Sequence, residues 1–179
     1  MTEPAHESRW PQPSRMERPT FLDTFGGVYE NSSWIAEEVF SAGLTEDHDA
    51  IAGLHGALRD VVDNADSKKQ FTLLRAHPDL AGKLAIAGAL TAESAAEQAS
   101  AHLNQCTPEE FDEFQFLNSR YKNAFGFPYI LAVRGRNRQE ILQNFRSRVS
   151  NDADSEFTEA LKQVHRIALL RLESIFQEE

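Results

Sequence analysis

Cysteine is almost missing from this sequence: Cys106 is the only one in 179 residues. No disulfide can form within the chain, so a hydrophobic core has to hold the fold. Such usage is expected of a reducing compartment, the cytoplasm. A lone cysteine can serve as a nucleophile, but Cys106 lies in Asn104-Gln105-Cys106-Thr107-Pro108, a joint between helices, where a structural place is the plainer reading. Basic charge is short as well. Lys and Arg number 18 against 28 Asp and Glu, a formal net charge of −10. That excludes the broad basic face needed for nucleic acid or an anionic membrane, while leaving room for a local basic site that takes a small anion. No apolar run is long enough to span a bilayer, and with no apolar h-region near the N-terminus no secretory signal is expected. Gly-rich phosphate loops, HExxH, paired CxxC and GxSxG are all missing. So are the Glu-x-x-His repeats of di-metal bundles. A metal site would have to be assembled from scattered His and acid residues, and none is expected.

What is present suits one all-α domain. Hydrophobic residues make up 41% and charged residues 26%, ordinary for a globular protein of this length. Residues 1–19 hold Pro4, Pro11, Pro13 and Pro19 among polar neighbours. They read as a flexible tail that buries too little to offset its ordering entropy, with Trp10 in it. Residues 20–179 read as a single-domain helical bundle. The first helix is expected over residues 33–40, capped by Asn31 or Ser32 and ended by Gly43. Thr45 caps the next, on which Ile51, Leu54, Leu58, Val61 and Val62 keep the helical period and His55 packs among them. Asp66 or Ser67 starts a short helix. Thr107-Pro108-Glu109-Glu110 is a strong helix start, followed by the aromatic stripe Phe111, Phe114, Leu117, Tyr121. Asn137-x-x-Glu140 caps another helix, whose Arg146 and Arg148 look solvated. The last runs over residues 154–176. One short segment, residues 127–133, breaks the pattern: it is nearly all apolar with Pro128 inside it, so it is expected to be extended. Its backbone N–H and C=O groups could then read a planar, amide-like ligand.

The candidate chemistry lies between His77 and Gln98. Pro78 excludes the helical conformation for the residue before it and can begin a new helical turn, so His77 stands at a rigid joint. There it either does chemistry or caps a helix at the surface. Ser94, Glu97 and Gln98 fall at i, i+3 and i+4 and share one face; Ser94-x-x-Glu97 also has the form of a capping box. Arg171 borders the apolar face of the last helix, where it needs a partner, either in a buried ion pair or on an anionic ligand.

With these residues placed, the chain resembles the OHCU decarboxylase family, which acts on 2-oxo-4-hydroxy-4-carboxy-5-ureidoimidazoline in uric acid breakdown. The resemblance spans about residues 21–176. It is carried in order by His77-Pro78-Asp79-Leu80-Ala81-Gly82, by Leu90-Thr91 with Glu93-Ser94 and Glu97-Gln98, by Asn118-Ser119 through Tyr121-Lys122 to Phe125-Gly126-Phe127-Pro128, and by Leu170-Arg171-Leu172. Tyr129 stands where Phe is common and Lys83 where Arg is common. The C-terminus lacks the Ser-Lys-Leu address of some members, in keeping with a cytoplasmic setting. The resemblance implies a helical homodimer without a cofactor that forms (S)-allantoin from a small anionic substrate. It implies His77 as catalytic acid/base and Glu97 as its carboxylate partner. Pro78, Ser94, Gln98 and Arg171 would line the substrate site, and Tyr129, Ile130, Leu131, Ala132 and Val133 would meet the ring through their backbone. Two other readings stand beside it. A non-catalytic helical module would bind a partner through a groove, and a metal-binding bundle would carry stoichiometric metal.

Overall fold

The computed structural model describes residues 11–82 and 88–177; Trp10, Lys83 and the rest of the stretch before Gly88 lie outside them. Among the described residues the regular structure is helical and no strand occurs. They fall into two compact units. One takes the chain up to Ala65 and the stretch from Ala168 onward, the other runs from Asp66 to Ile167.

In the first unit, part of the expected tail is ordered. Pro13–Arg15 forms a 3-10 turn. Ser14 fixes it by donating to the Asp49 carboxylate from its backbone N–H at 2.8 Å and its hydroxyl at 2.7 Å. Helix α1 (Arg18–Phe25) follows, where the sequence suggested none. Pro19, read from sequence as part of the tail, falls in its first turn, where a missing N–H costs nothing. The α1 rings Phe21 and Phe25 are fully buried, with Phe21 against Phe40 at 5.5 Å and Phe25 against Phe176 at 6.2 Å. Each such ring stabilises by roughly 1.5–3 kcal/mol. Helix α2 (Trp34–Ala42) follows Ser33, one residue beyond the expected cap, and ends at Gly43 with φ +100°. Thr45 and His48 cap each other across a 3-10 turn, Glu46–Asp49. Helix α3 (Ile51–Asp63) then buries Leu54, Leu58 and Val62, and His55 is half-buried on it.

The second unit holds α4 (Ser67–Arg75), α5 (Ala92–Ser100), α6 (Pro108–Phe125), α7 (Arg138–Arg148) and most of α8 (Ala153–Ile175). The capping boxes read from sequence at Thr107/Glu110 and Asn137/Glu140 both form. The stripe on α6 meets the aromatic segment 127–133. Tyr121 packs edge-on to Phe127 and Tyr129, and Tyr129 stacks on Phe145 at 3.8 Å. Arg148 is not solvated, as its sequence position suggested, but buried. It pairs with the fully buried Glu156 at 2.9 Å, donates to the Ile130 carbonyl at 2.6 Å and lies over the Tyr129 ring at 4.7 Å. Tyr121 donates its hydroxyl to the same Glu156. The buried carboxylate therefore has partners for its charge, and burial pushes the Tyr121 phenol well above its usual range. Residues 127–133 form neither helix nor strand.

Candidate active site

The site is built on the turn that leaves α4. That helix stops at Arg75 with Ala76 as its C-cap, and His77 follows, buried at 8% exposure. The ring Nδ1 lies 3.1 Å from the Leu73 carbonyl oxygen. A carbonyl only accepts, so in the neutral imidazole Nδ1 carries the hydrogen and Nε2 is the basic nitrogen. Pro78 does not open a new helix, as the sequence suggested. It leads into a turn at Leu80 and Ala81. Ala81 has φ +49°, a left-handed conformation that costs a side chain about 1–2 kcal/mol. Gly82 is required by close approach, since a Cβ there would lie 2.8 Å from the Asp79 Cβ.

His77, Pro78, Asp79 and Gly82 form one wall of a 420 Å³ cavity. The α6 residues Gln115, Asn118, Ser119 and Lys122 form another, with Arg75 and Pro128 completing it. Its charge balance differs from that of the protein. Among the described residues Arg75 and Lys122 face it against one carboxylate, Asp79, which Lys122 already holds at 2.7 Å. Arg75 is steadied by donating from Nε to the Gly126 carbonyl at 2.8 Å.

Among the residues expected from sequence, His77 and Pro78 line this cavity. Ser94 is buried inside α5, and its backbone N–H donates to the Thr91 hydroxyl at 3.2 Å. Thr91 is therefore the cap, and the capping-box explanation of Ser94 and Glu97 does not hold. Glu97 is half-buried in the second turn of that helix. Gln98 is buried and spans the turn: its Oε1 accepts from the Ala81 N–H at 3.0 Å and its Nε2 donates to the Asp79 carbonyl at 3.3 Å. The side chains of Tyr129, Ile130, Leu131 and Val133 are buried. Two backbone groups of that segment are engaged by protein, Ile130 O by Arg148 and Ala132 N by Gln163 Oε1 at 3.0 Å. Arg171, within the first unit, forms a buried ion pair with Glu30 at 2.8 Å and donates to the Gly27 carbonyl at 3.2 Å. The wall supplied by α6 was missed. Gln115, Asn118, Ser119 and Lys122 recur at i, i+3, i+4 and i+7, a polar stripe overlooked beside the aromatic one. Among the described residues no group of three or more His, Cys, Asp or Glu could hold a metal.

A family model described as OHCU decarboxylase matches residues 14–173. A Haloferax volcanii protein named 2-oxo-4-hydroxy-4-carboxy-5-ureidoimidazoline decarboxylase is 38% identical over 174 residues, covering 97% of this chain and 99% of that one. A uric acid degradation bifunctional protein of a Bacillus strain is 36% identical, and 32% of its length is covered. Among solved structures, that of an (S)-allantoin synthase superposes with a TM-score of 0.71 at 29% identity, covering 92% of this chain and 52% of that one. An OHCU decarboxylase crystallised in the presence of (S)-allantoin superposes with a TM-score of 0.66 at 24% identity over 84% of this chain and 96% of that one, a likeness of fold.

Proposed function

The chain belongs to the OHCU decarboxylase family, and on that premise we propose that its chemistry runs at the His77 turn. The reaction is the decarboxylation of 2-oxo-4-hydroxy-4-carboxy-5-ureidoimidazoline to (S)-allantoin in urate degradation, so the enzyme is a carboxy-lyase. In this substrate one ring carbon bears both the carboxylate and a hydroxyl, and the next carbon is doubly bonded to a ring nitrogen. When the carbon–carboxylate bond breaks, its electron pair forms a carbon–carbon double bond and the imine pair moves onto nitrogen, which takes a proton. The ring is its own electron sink. The resulting enol then loses its hydroxyl proton, becomes a carbonyl and gains a proton on the neighbouring carbon. His77 Nε2 accepts the hydroxyl proton, and the imidazolium gives one to that carbon from a single face, which sets the S configuration. Glu97 stabilises the imidazolium and disfavours the substrate carboxylate by like-charge proximity. The cations Arg75 and Lys122 suit a ligand that arrives as an anion.

The observation that carries this reading is the bond from His77 Nδ1 to the Leu73 carbonyl. It fixes the tautomer and ring plane of a histidine that lines a cavity, as a general base requires. The test generates the unstable intermediate from urate with the upstream enzymes and follows (S)-allantoin by circular dichroism. His77→Asn should fold with an unchanged melting temperature and lose about 10²–10⁴-fold in kcat; near-full activity would overturn the assignment. Glu97→Gln should lose rate and keep its fold, since the cap of α5 is Thr91. A homodimer working in the cytoplasm belongs to the same proposal, and sedimentation equilibrium of the purified chain tests its first half.

A further inference from the structure

The turn after His77 is not self-supporting. Ala81 sits in the left-handed region, and Asp79, Leu80 and Ala81 have polar backbone groups that no helix among the described residues takes up. Side-chain amides take them up instead. Gln98 on α5 accepts from Ala81 N and donates to Asp79 O, at 3.0 and 3.3 Å. Gln115 on α6 donates from Nε2 to Ala81 O at 2.8 Å. Asn118, one α6 turn on, donates from Nδ2 to Leu80 O at 2.9 Å. Lys122, a further turn along, holds the Asp79 side chain at 2.7 Å. We infer that Gln115 and Asn118, with Gln98, form an amide clamp that positions His77 for proton transfer and acts through the turn rather than on the substrate. The inference rests on the reading of His77 as the acid/base.

Three physical points support it. The residue type is dictated by the partners. A carbonyl oxygen needs a donor and an N–H needs an acceptor, and the carboxamide of Gln98 supplies both at once. A carboxylate of the same shape would put oxygen against oxygen at Asp79, Leu80 and Ala81. The linkage to His77 is also stiff. Only Pro78 separates His77 from Asp79, and its ring locks φ, so a displaced turn displaces the imidazole. Finally, Asn118 is nearly fully buried, with its Oδ1 lacking a hydrogen-bond partner among the described residues. Burying an amide is unfavourable unless it is hydrogen-bonded, and the Leu80 bond offsets this burial.

The experiment uses the isosteres Asn118→Asp and Gln115→Glu in the full chain, each alone and combined with His77→Asn, with kcat, KM and melting temperature measured in the coupled assay. Each single variant should lose kcat by on the order of 10²-fold for a displacement near an ångström, over and above the rise in KM that an added carboxylate in the cavity brings. Added to His77→Asn, either should cost nothing further in kcat, because residues acting as one unit are not additive. Losses that multiply in the double variants, or single variants with unchanged kcat, would overturn the clamp while leaving His77 as the base. Full activity of His77→Asn alone would instead overturn the reading beneath it. Gln115 is half-buried, so Gln115→Glu keeps the test decisive even where the buried Asn118→Asp fails to fold.

Discussion

At the scale of single residues, the fold pairs its buried arginines internally. Arg171 and Glu30 are 4% and 2% exposed and lie 2.8 Å apart. Removing one partner of such a pair leaves an uncompensated buried charge, at a cost of about 3–5 kcal/mol. Arg171→Ala should therefore lower the urea midpoint sharply, and Glu30→Gln together with Arg171→Met should recover much of the loss. A rise in KM at unchanged stability would instead assign Arg171 to the substrate, as the resemblance to the family implies. Cys106 is the opposite case, a residue that could be chemical and is not placed for it. Its Sγ donates to the Leu103 carbonyl at 3.3 Å. Burial, with Glu110 beside it, pushes the thiol above its ordinary pKa. Since the thiolate is the reactive form, alkylation at neutral pH should be slower in the native protein than in urea, and Cys106→Ser should keep full decarboxylase activity.

At the scale of elements, the structure divides into what local sequence determines and what it does not. Helix starts are local. Thr107 and Glu110, three residues apart, satisfy each other's backbone donors, and that pattern can be read without knowing the fold. Asn137 and Glu140 do the same, and Asp66 caps α4 by accepting from the Lys69 N–H. Thr107→Ala should cost about 1 kcal/mol, lowering the melting temperature by a few degrees with kcat unchanged, because the cap lies two turns before Gln115. The grip on the His77 turn is not local. Gln98 reaches back 17 residues to Ala81, and Asn118 reaches back 38 to Leu80. Periodicity could show that Gln98 shares a face with Ser94, yet not that its amide is engaged by the turn's backbone. Helix α1 was hidden for a different reason. Its one proline, Pro19, fits a tail and a helix start equally well, and the choice rests on Phe21 and Phe25 meeting Phe40 and Phe176, far along the chain. Arg148 likewise looked solvated because its carboxylate, Glu156, belongs to another helix.

For the molecule as a whole, charge sets the last prediction. A chain with formal net charge −10 repels an anionic substrate at long range, and salt screens that repulsion over about 10 Å at 0.1 M. Inside the cavity the sign reverses, because Arg75 and Lys122 outnumber Asp79. The two cations are not equivalent. Lys122 also neutralises Asp79 at 2.7 Å, so Lys122→Gln removes a positive charge and leaves a carboxylate facing the substrate. Arg75→Gln removes one charge and its bond to the Gly126 carbonyl. Lys122→Gln should therefore raise KM more than Arg75→Gln does, and Lys122→Gln with Asp79→Asn should recover part of the rise. Steady-state kinetics at low and high salt separate this local effect from the long-range one. Greater salt should help the parent and the variants alike where repulsion by the net charge governs entry, and the ordering of the KM values should survive it where the cavity's own cations select the anion.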